Sequence, residues 1–68
     1  MTDISARQAQ VLRAVQTLRG PQGLPPTIRE VADSLGISTS TAHAHLLQLR
    51  RRDLVDWRAG RQRTLKVR

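Results

Sequence analysis

Sixty-eight residues without cysteine, and with Trp57 as the sole aromatic, allow one small domain around an aliphatic core of Leu, Val, Ile and Ala. Disulfides and thiolate metal sites are excluded, and the apolar runs are far too short to span a membrane. Twelve basic residues face five acidic ones, a net charge of +7. The excess is lopsided: residues 1–34 hold four basic and three acidic residues, and residues 35–68 hold eight and two. A basic cluster on one half of a small domain points to a polyanionic partner, nucleic acid first.

The first predicted helix covers about residues 6–19. Ser5 is a good N-cap, Gln8 three residues on completes a capping box, and Ile4 and Ala9 occupy hydrophobic-staple positions. Val11, Leu12, Val15 and Leu18 form an apolar stripe at helical spacing, and Gly20 followed by Pro21 stops the helix. "GPQGLPP" is a turn in which Leu24 is expected to pack.

Thr27 and Glu30 form a second capping box and open a helix over 28–35, with Ile28, Val31, Ala32 and Leu35 on its buried side. Gly36 ends it in the left-handed conformation. Ser38 then caps a third helix, about 39–52. Two helices joined by so tight a turn form a helix-turn-helix. On the third helix, Ala42, Leu46 and Leu49 share one face with His45 at its margin, and Ser40, His43, Ala44, Leu47 and Arg51 share the opposite one.

Beyond Asp53 the period changes to two. Val55, Trp57, Leu65 and Val67 are expected to face the helices from a β-hairpin spanning about 54–67, with Gly60 at its turn and Arg58, Arg61 and Arg63 around its tip. The fold expected is mainly α with a small β-hairpin: a three-helix winged helix-turn-helix across residues 1–68.

The segments "ISARQAQVLRAVQTL", "GLPPTIREVADSLGIS", "STAHAHLLQLRRRDLV" and "RQRTLKV" resemble, in order, the N-terminal DNA-binding domain of LexA-type repressors. The pattern G-x-P-P-T-x-R-E-x-A-x-x-L-G runs intact from Gly23 to Gly36, and His45, Leu46 and Leu49 fit the later H-L-x-x-L. The resemblance implies a repressor of the SOS-response type whose third helix enters the major groove of a palindromic operator while the hairpin lies alongside as a wing. The chain departs from the family in three places. No Ser/Lys protease dyad is recognisable, since the one lysine, Lys66, falls in a predicted strand. The turn after Gly36 is about a residue shorter than usual. Asp53 replaces the glycine that normally follows the basic run, at a position that asks for a left-handed backbone.

These readings make Ser38, Thr39, Ser40, Thr41, His43, Ala44, Leu47 and Arg51 the expected DNA-reading residues of the third helix. Short polar side chains there let a helix approach base edges, and an Ala methyl can meet a thymine methyl. Ser38 also serves as a cap, and Leu47 as an ordinary exposed leucine. Thr27, Arg29, Arg50, Arg58, Arg61 and Arg63 are the expected backbone and wing contacts, with Gln22 nearby. A surface pair with Asp33 is an equal alternative for Arg29, and Arg52 is expected nearer the core. His43 and His45, two apart on a helix, do not share a face, so they do not chelate one ion. No serine–histidine pair has an orienting acid. Catalysis, a metal and a cofactor are therefore not expected.

The reading is a cytoplasmic, sequence-specific binder of double-stranded DNA, monomeric or weakly homodimeric when free, with two copies on an inverted repeat. The competing reading is a protein-interaction module that uses the same fold to bind a transcription or host regulatory protein.

Overall fold

The computed structural model describes residues 4–68. Three helices and a two-stranded antiparallel sheet follow one another: α1 (Ala6–Thr17), α2 (Ile28–Leu35), α3 (Thr39–Arg51), β1 (Val55–Asp56) and β2 (Lys66–Val67). This is the winged helix-turn-helix expected from the sequence.

Each helix begins where a side chain can accept its free N–H groups. Ser5 Oγ accepts from Gln8 N–H at 3.1 Å, and Gln8 Oε1 accepts from Ser5 N–H at 3.3 Å. Thr27 and Glu30 repeat the device at 3.1 and 2.9 Å. Ser38 Oγ accepts from Thr41 N–H at 3.1 Å. Losing such a cap typically costs about 1 kcal/mol.

The helix ends are equally local. Gly36 takes φ 68°, so its N–H reaches the carbonyl of Asp33 and that of Ile37 reaches Ala32. Asp53 takes φ 60° at the end of α3, with its N–H on Arg50 and that of Leu54 on Leu49. Both are Schellman motifs, and the second places an L-residue where glycine is usual. Helix α1 stops two residues before the expected end. Leu18 is already extended, and Arg19 Nη1 donates to the carbonyls of Leu18 at 2.7 Å and Val15 at 3.4 Å. A 3-10 turn over Pro21–Gly23 follows, with Gln22 at φ 58°.

The core collects Val11, Ala14 and Val15 of α1, Val31 and Ala32 of α2, Ala42, Leu46 and Leu49 of α3, and Val55 and Leu65 of the wing. Burying each Val or Leu side chain contributes about 1.5–3 kcal/mol. The α1 stripe is rotated from the one expected. Gln8, Val11, Ala14 and Val15 are buried, while Leu12 and Leu18 pack at the edge. Gln8 can enter the interior because its amide donates to Gln48 Oε1 on α3. Ile4 packs on the core cluster, whereas Ala9, its expected staple partner, is exposed. Leu24 is 45% exposed rather than packed.

The wing also differs. Its strands hold two residues each, in register Val55↔Val67 and Asp56↔Lys66. Between them the chain is not extended. Arg61 N–H closes a turn on Arg58 O at 3.1 Å, and Gly60 and Arg63 have φ 76° and 58°. Thr64 Oγ1 accepts from Arg58 N–H at 2.8 Å, in place of a ladder bond. Of the four expected inward residues, Val55 and Leu65 are buried and Trp57 and Val67 only half-buried.

Asp53 is one of three non-glycine residues held at positive φ, with Gln22 and Arg63, and the one that ends a helix. Its carboxylate is 85% exposed and lies 3.9 Å from Arg68, a contact of little energetic consequence. Asp53→Gly should therefore raise stability by up to about 1 kcal/mol. Urea unfolding followed by helical circular dichroism measures this, and the midpoint should move upward with an unchanged slope.

Candidate nucleic-acid interface

The N-terminal cap of α3 and its Schellman end fix which residues face outward. Ala42, Leu46 and Leu49 turn to the core, so Thr39, Ser40, His43, Ala44, Leu47 and Arg51 lie on the exposed side. Leu47 is 40% exposed. Ser38 and Thr41 are exposed as well, but they bond to each other: the Ser38 hydroxyl donates to Thr41 Oγ1 at 2.8 Å while it caps the helix. The remaining face is small and polar at its N-terminal end and cationic at its C-terminal end, where the backbone carbonyls favour positive charge.

Beside this face lies a concavity of about 330 Å³ between the start of α2 and the wing loop, lined among others by Thr27, Arg29, Trp57, Arg61 and Gln62. Arg29 and Arg61 are exposed, and among the described residues neither forms a salt bridge. The alternative pairing of Arg29 with Asp33 is not formed. Arg58 is exposed on the same loop. Thr27 has its hydroxyl committed to the cap of α2. Arg52, expected nearer the core, is exposed, and Gln22 is exposed in the preceding turn.

Two of the expected backbone contacts are held within the protein instead. Arg63 forms a bidentate pair with Glu30, Nη1 to Oε1 and Nη2 to Oε2, each at 3.1 Å, and Nη1 also donates to Pro25 O at 3.0 Å. Its side chain is 25% exposed and bridges the wing to the start of α2. Arg50 donates from Nε to Asp56 Oδ1 at 3.1 Å and from Nη2 to Trp57 O at 3.2 Å. Its guanidinium lies 4.5 Å from the centre of the Trp57 ring. Neither cation keeps its full set of donors for an outside anion.

Trp57 faces the helices as the alternating pattern predicted, packing against the core cluster on one side and bordering this surface on the other. It is half-buried and meets the His43 ring in a T-shaped contact, centroids 5.9 Å apart at 62°. Aromatic pairs of this geometry contribute about 0.5–1.5 kcal/mol, and an exposed cation over an aromatic ring about 0.5–1 kcal/mol. The sequence signal that could have announced its open side is its position: a large aromatic next to Arg58 at the strand end, level with the basic end of α3. Among the described residues no group of three His, Cys, Asp or Glu side chains could hold a metal ion.

A short-chained helix face projecting beside a cationic wing defines the chain as a winged helix-turn-helix of the DNA-binding class. The family model described as LexA DNA binding domain matches residues 1–64. The chain therefore belongs to the LexA DNA-binding domain family. It is 32% identical over 68 residues to the LexA repressor of Bacillus subtilis, covering 98% of this chain and 33% of that protein. The LexA repressor of Pediococcus pentosaceus is 35% identical over 66 residues, covering 96% and 32%. That of Clostridium kluyveri is 36% identical over 62 residues, covering 90% and 31%. The chain spans about a third of the length of the curated relatives it matches. Among the described residues, no helix is long and apolar enough to cross a membrane.

The Arg63 pair makes the wing's attachment sensitive to acid. The Arg63 hydrogen bond, with help from the Thr27 backbone N–H, holds the Glu30 carboxyl below its ordinary range. A depressed folded-state value stabilises the fold above the unfolded carboxylate range, and that contribution is lost as pH falls through the folded value. Glu30→Gln should therefore be less stable than the parent at pH 7, and the gap should close on acidification below pH ~4. Thermal unfolding of both proteins across pH 3–7 measures it.

Proposed function

We propose that this chain is the operator-reading module of a transcriptional repressor acting on double-stranded DNA. One observation carries the reading. The outward face of α3 presents Thr39, Ser40, His43, Ala44 and Leu47 to solvent, and Arg51 on the same helix, Arg29 at the start of α2 and Arg58 and Arg61 on the wing loop are exposed with no salt bridge among the described residues. The two sets divide the work. Arginines on phosphates release counterions and set affinity and orientation. Ser40 and His43 offer hydrogen bonds to base edges in the major groove, and Ala44 and Leu47 offer apolar contact to thymine methyls. Ser38, Thr39 and Thr41 lie at the helix N-terminus; the Ser38 hydroxyl is spent on Thr41, and the Thr39 and Thr41 hydroxyl protons, with the Thr39 backbone N–H, suit a phosphate. At the start of α2, Thr27 accepts from Glu30 N–H and gives its own N–H to Glu30 Oε1, which leaves its hydroxyl proton for a phosphate.

Two copies on an inverted repeat would place two such helices in successive major grooves, a helical turn apart. The proposed site of action is the bacterial cytoplasm, where such operators lie. Membership of the LexA DNA-binding domain family supports this reading, since its relatives are named as repressors.

Selection from a randomised duplex library, followed by salt titration, tests the proposal. The expected result is a palindromic consensus bound with a steep negative dependence on salt. Salt-sensitive binding that selects no sequence overturns operator reading, and failure to bind duplex at low salt overturns DNA binding. Arg61→Ala should weaken all duplexes alike and reduce the salt slope by about one, whereas His43→Ala should change the preferred base.

A further inference from the structure

Groove reading and phosphate attachment leave one feature of the surface without a use. The chain's sole aromatic ring beyond its histidines stands at the root of the wing, half-buried against the edge of the core. Three residues converge on Trp57. Arg50 stacks 4.5 Å from the centre of the Trp57 ring and donates to the Trp57 carbonyl at 3.2 Å. Asp56 Oδ1 accepts from both Arg50 Nε at 3.1 Å and Trp57 N–H at 2.9 Å. The His43 ring meets the indole at 62°. His43 and Arg50 are seven residues apart on α3, which places them on one column of the helix two turns apart. The wing thus grips α3 along the side that borders the exposed helix face.

We propose that Trp57 is a positioning residue for base readout: it holds the His43 ring in one orientation and, through Arg50 and Asp56, locks the wing to the helix that carries that ring. The inference rests on the proposed role of His43 as a base-reading side chain. An imidazole on an exposed helix face turns among several rotamers, and each must be abandoned when one ring nitrogen meets a base edge. An indole against the ring removes that choice before DNA arrives. Arg50 contributes in the opposite sense to a phosphate anchor. With Nε and Nη2 bonded inside the protein, it keeps fewer donors for sequence-independent attachment and stiffens a sequence-dependent contact. The cluster moves binding away from charge and toward base identity.

Two substitutions in the 68-residue chain separate this role from general packing. Trp57→Phe keeps an aromatic edge for His43 and a face for Arg50. Trp57→Leu keeps apolar bulk and removes both. Without DNA, nuclear magnetic resonance reads the ring current of residue 57 at the His43 ring protons, with His45 as internal reference. Those protons should be displaced in the parent and in Trp57→Phe relative to Trp57→Leu, while His45 stays unmoved. With DNA, Trp57→Leu should lose discrimination roughly tenfold at the base pairs that His43→Ala also relaxes, with no reduction in salt slope. Trp57→Phe should restore most of it. The double variant Trp57→Leu with His43→Ala should lose no more discrimination than His43→Ala alone.

Identical His43 shifts in the parent and Trp57→Leu overturn the positioning contact. An affinity loss in Trp57→Leu that is uniform across sequences overturns the readout role and leaves Trp57 as packing. If the parent selects no sequence at all, the reading of His43 fails, and the readout role with it. The ring-current result then still decides, independently, whether the indole holds the imidazole.

Discussion

The pairing of Arg63 with Glu30 holds the architecture in its working arrangement. The three helices cap themselves, and burial of Val55 and Leu65 seats the strands of the wing on them, but the loop between those strands needs a tie of its own. Arg63 reaches across 33 residues of sequence to a carboxylate already engaged in the cap of α2 and adds a bond to the Pro25 carbonyl. Charge-assisted bonds in a fork geometry are directional as well as attractive. They fix the wing loop against the start of α2, which forms the concavity lined by Arg29 and Arg61. The position of the proposed phosphate contacts thus follows from an arginine that is not itself one of them.

A similar division runs through the other charges. Arg50 is bound to Asp56 and Trp57, and Arg63 to Glu30, while Arg29, Arg58, Arg61 and Arg51 stand in solvent. A count of basic residues alone therefore overstates the surface available to DNA. The internal pairs set geometry, and the unpaired arginines face outward from it.

Local features of the fold were legible in the sequence because their physics is local. Ser5 with Gln8, Thr27 with Glu30, and Ser38 each sit within three residues of the N–H they satisfy, so the helix starts fell where expected. Gly36 and Asp53 end helices through left-handed turns, and the buried face of α3 follows from helical period alone. What the pattern did not carry is long-range or conformational. Glu30 lies 33 positions from Arg63, so no spacing rule pairs them. The positive φ of Arg63 interrupts the strand without a glycine to announce it. The strict alternation Val55, Trp57, Leu65, Val67 turned all four toward the helices, but gave no sign that Trp57 also carries Arg50 and His43 on its open side. Gln8 looked polar and proved buried because Gln48, forty residues away, completes its hydrogen bonding.

Caps that act locally and a wing that does not also imply an order of assembly. Each helix can nucleate from groups within its own first turn, and α2 and α3 are joined by a turn too short to impose much closure entropy. Ordering the wing must wait until Glu30 is already held at the start of α2, since the arginine that clamps it arrives from a distant segment. The transition state for folding should accordingly resemble the helical trio, with the wing's contacts formed on the downhill side. A substitution in the Arg63 clamp would then speed unfolding while leaving the rate of folding nearly untouched.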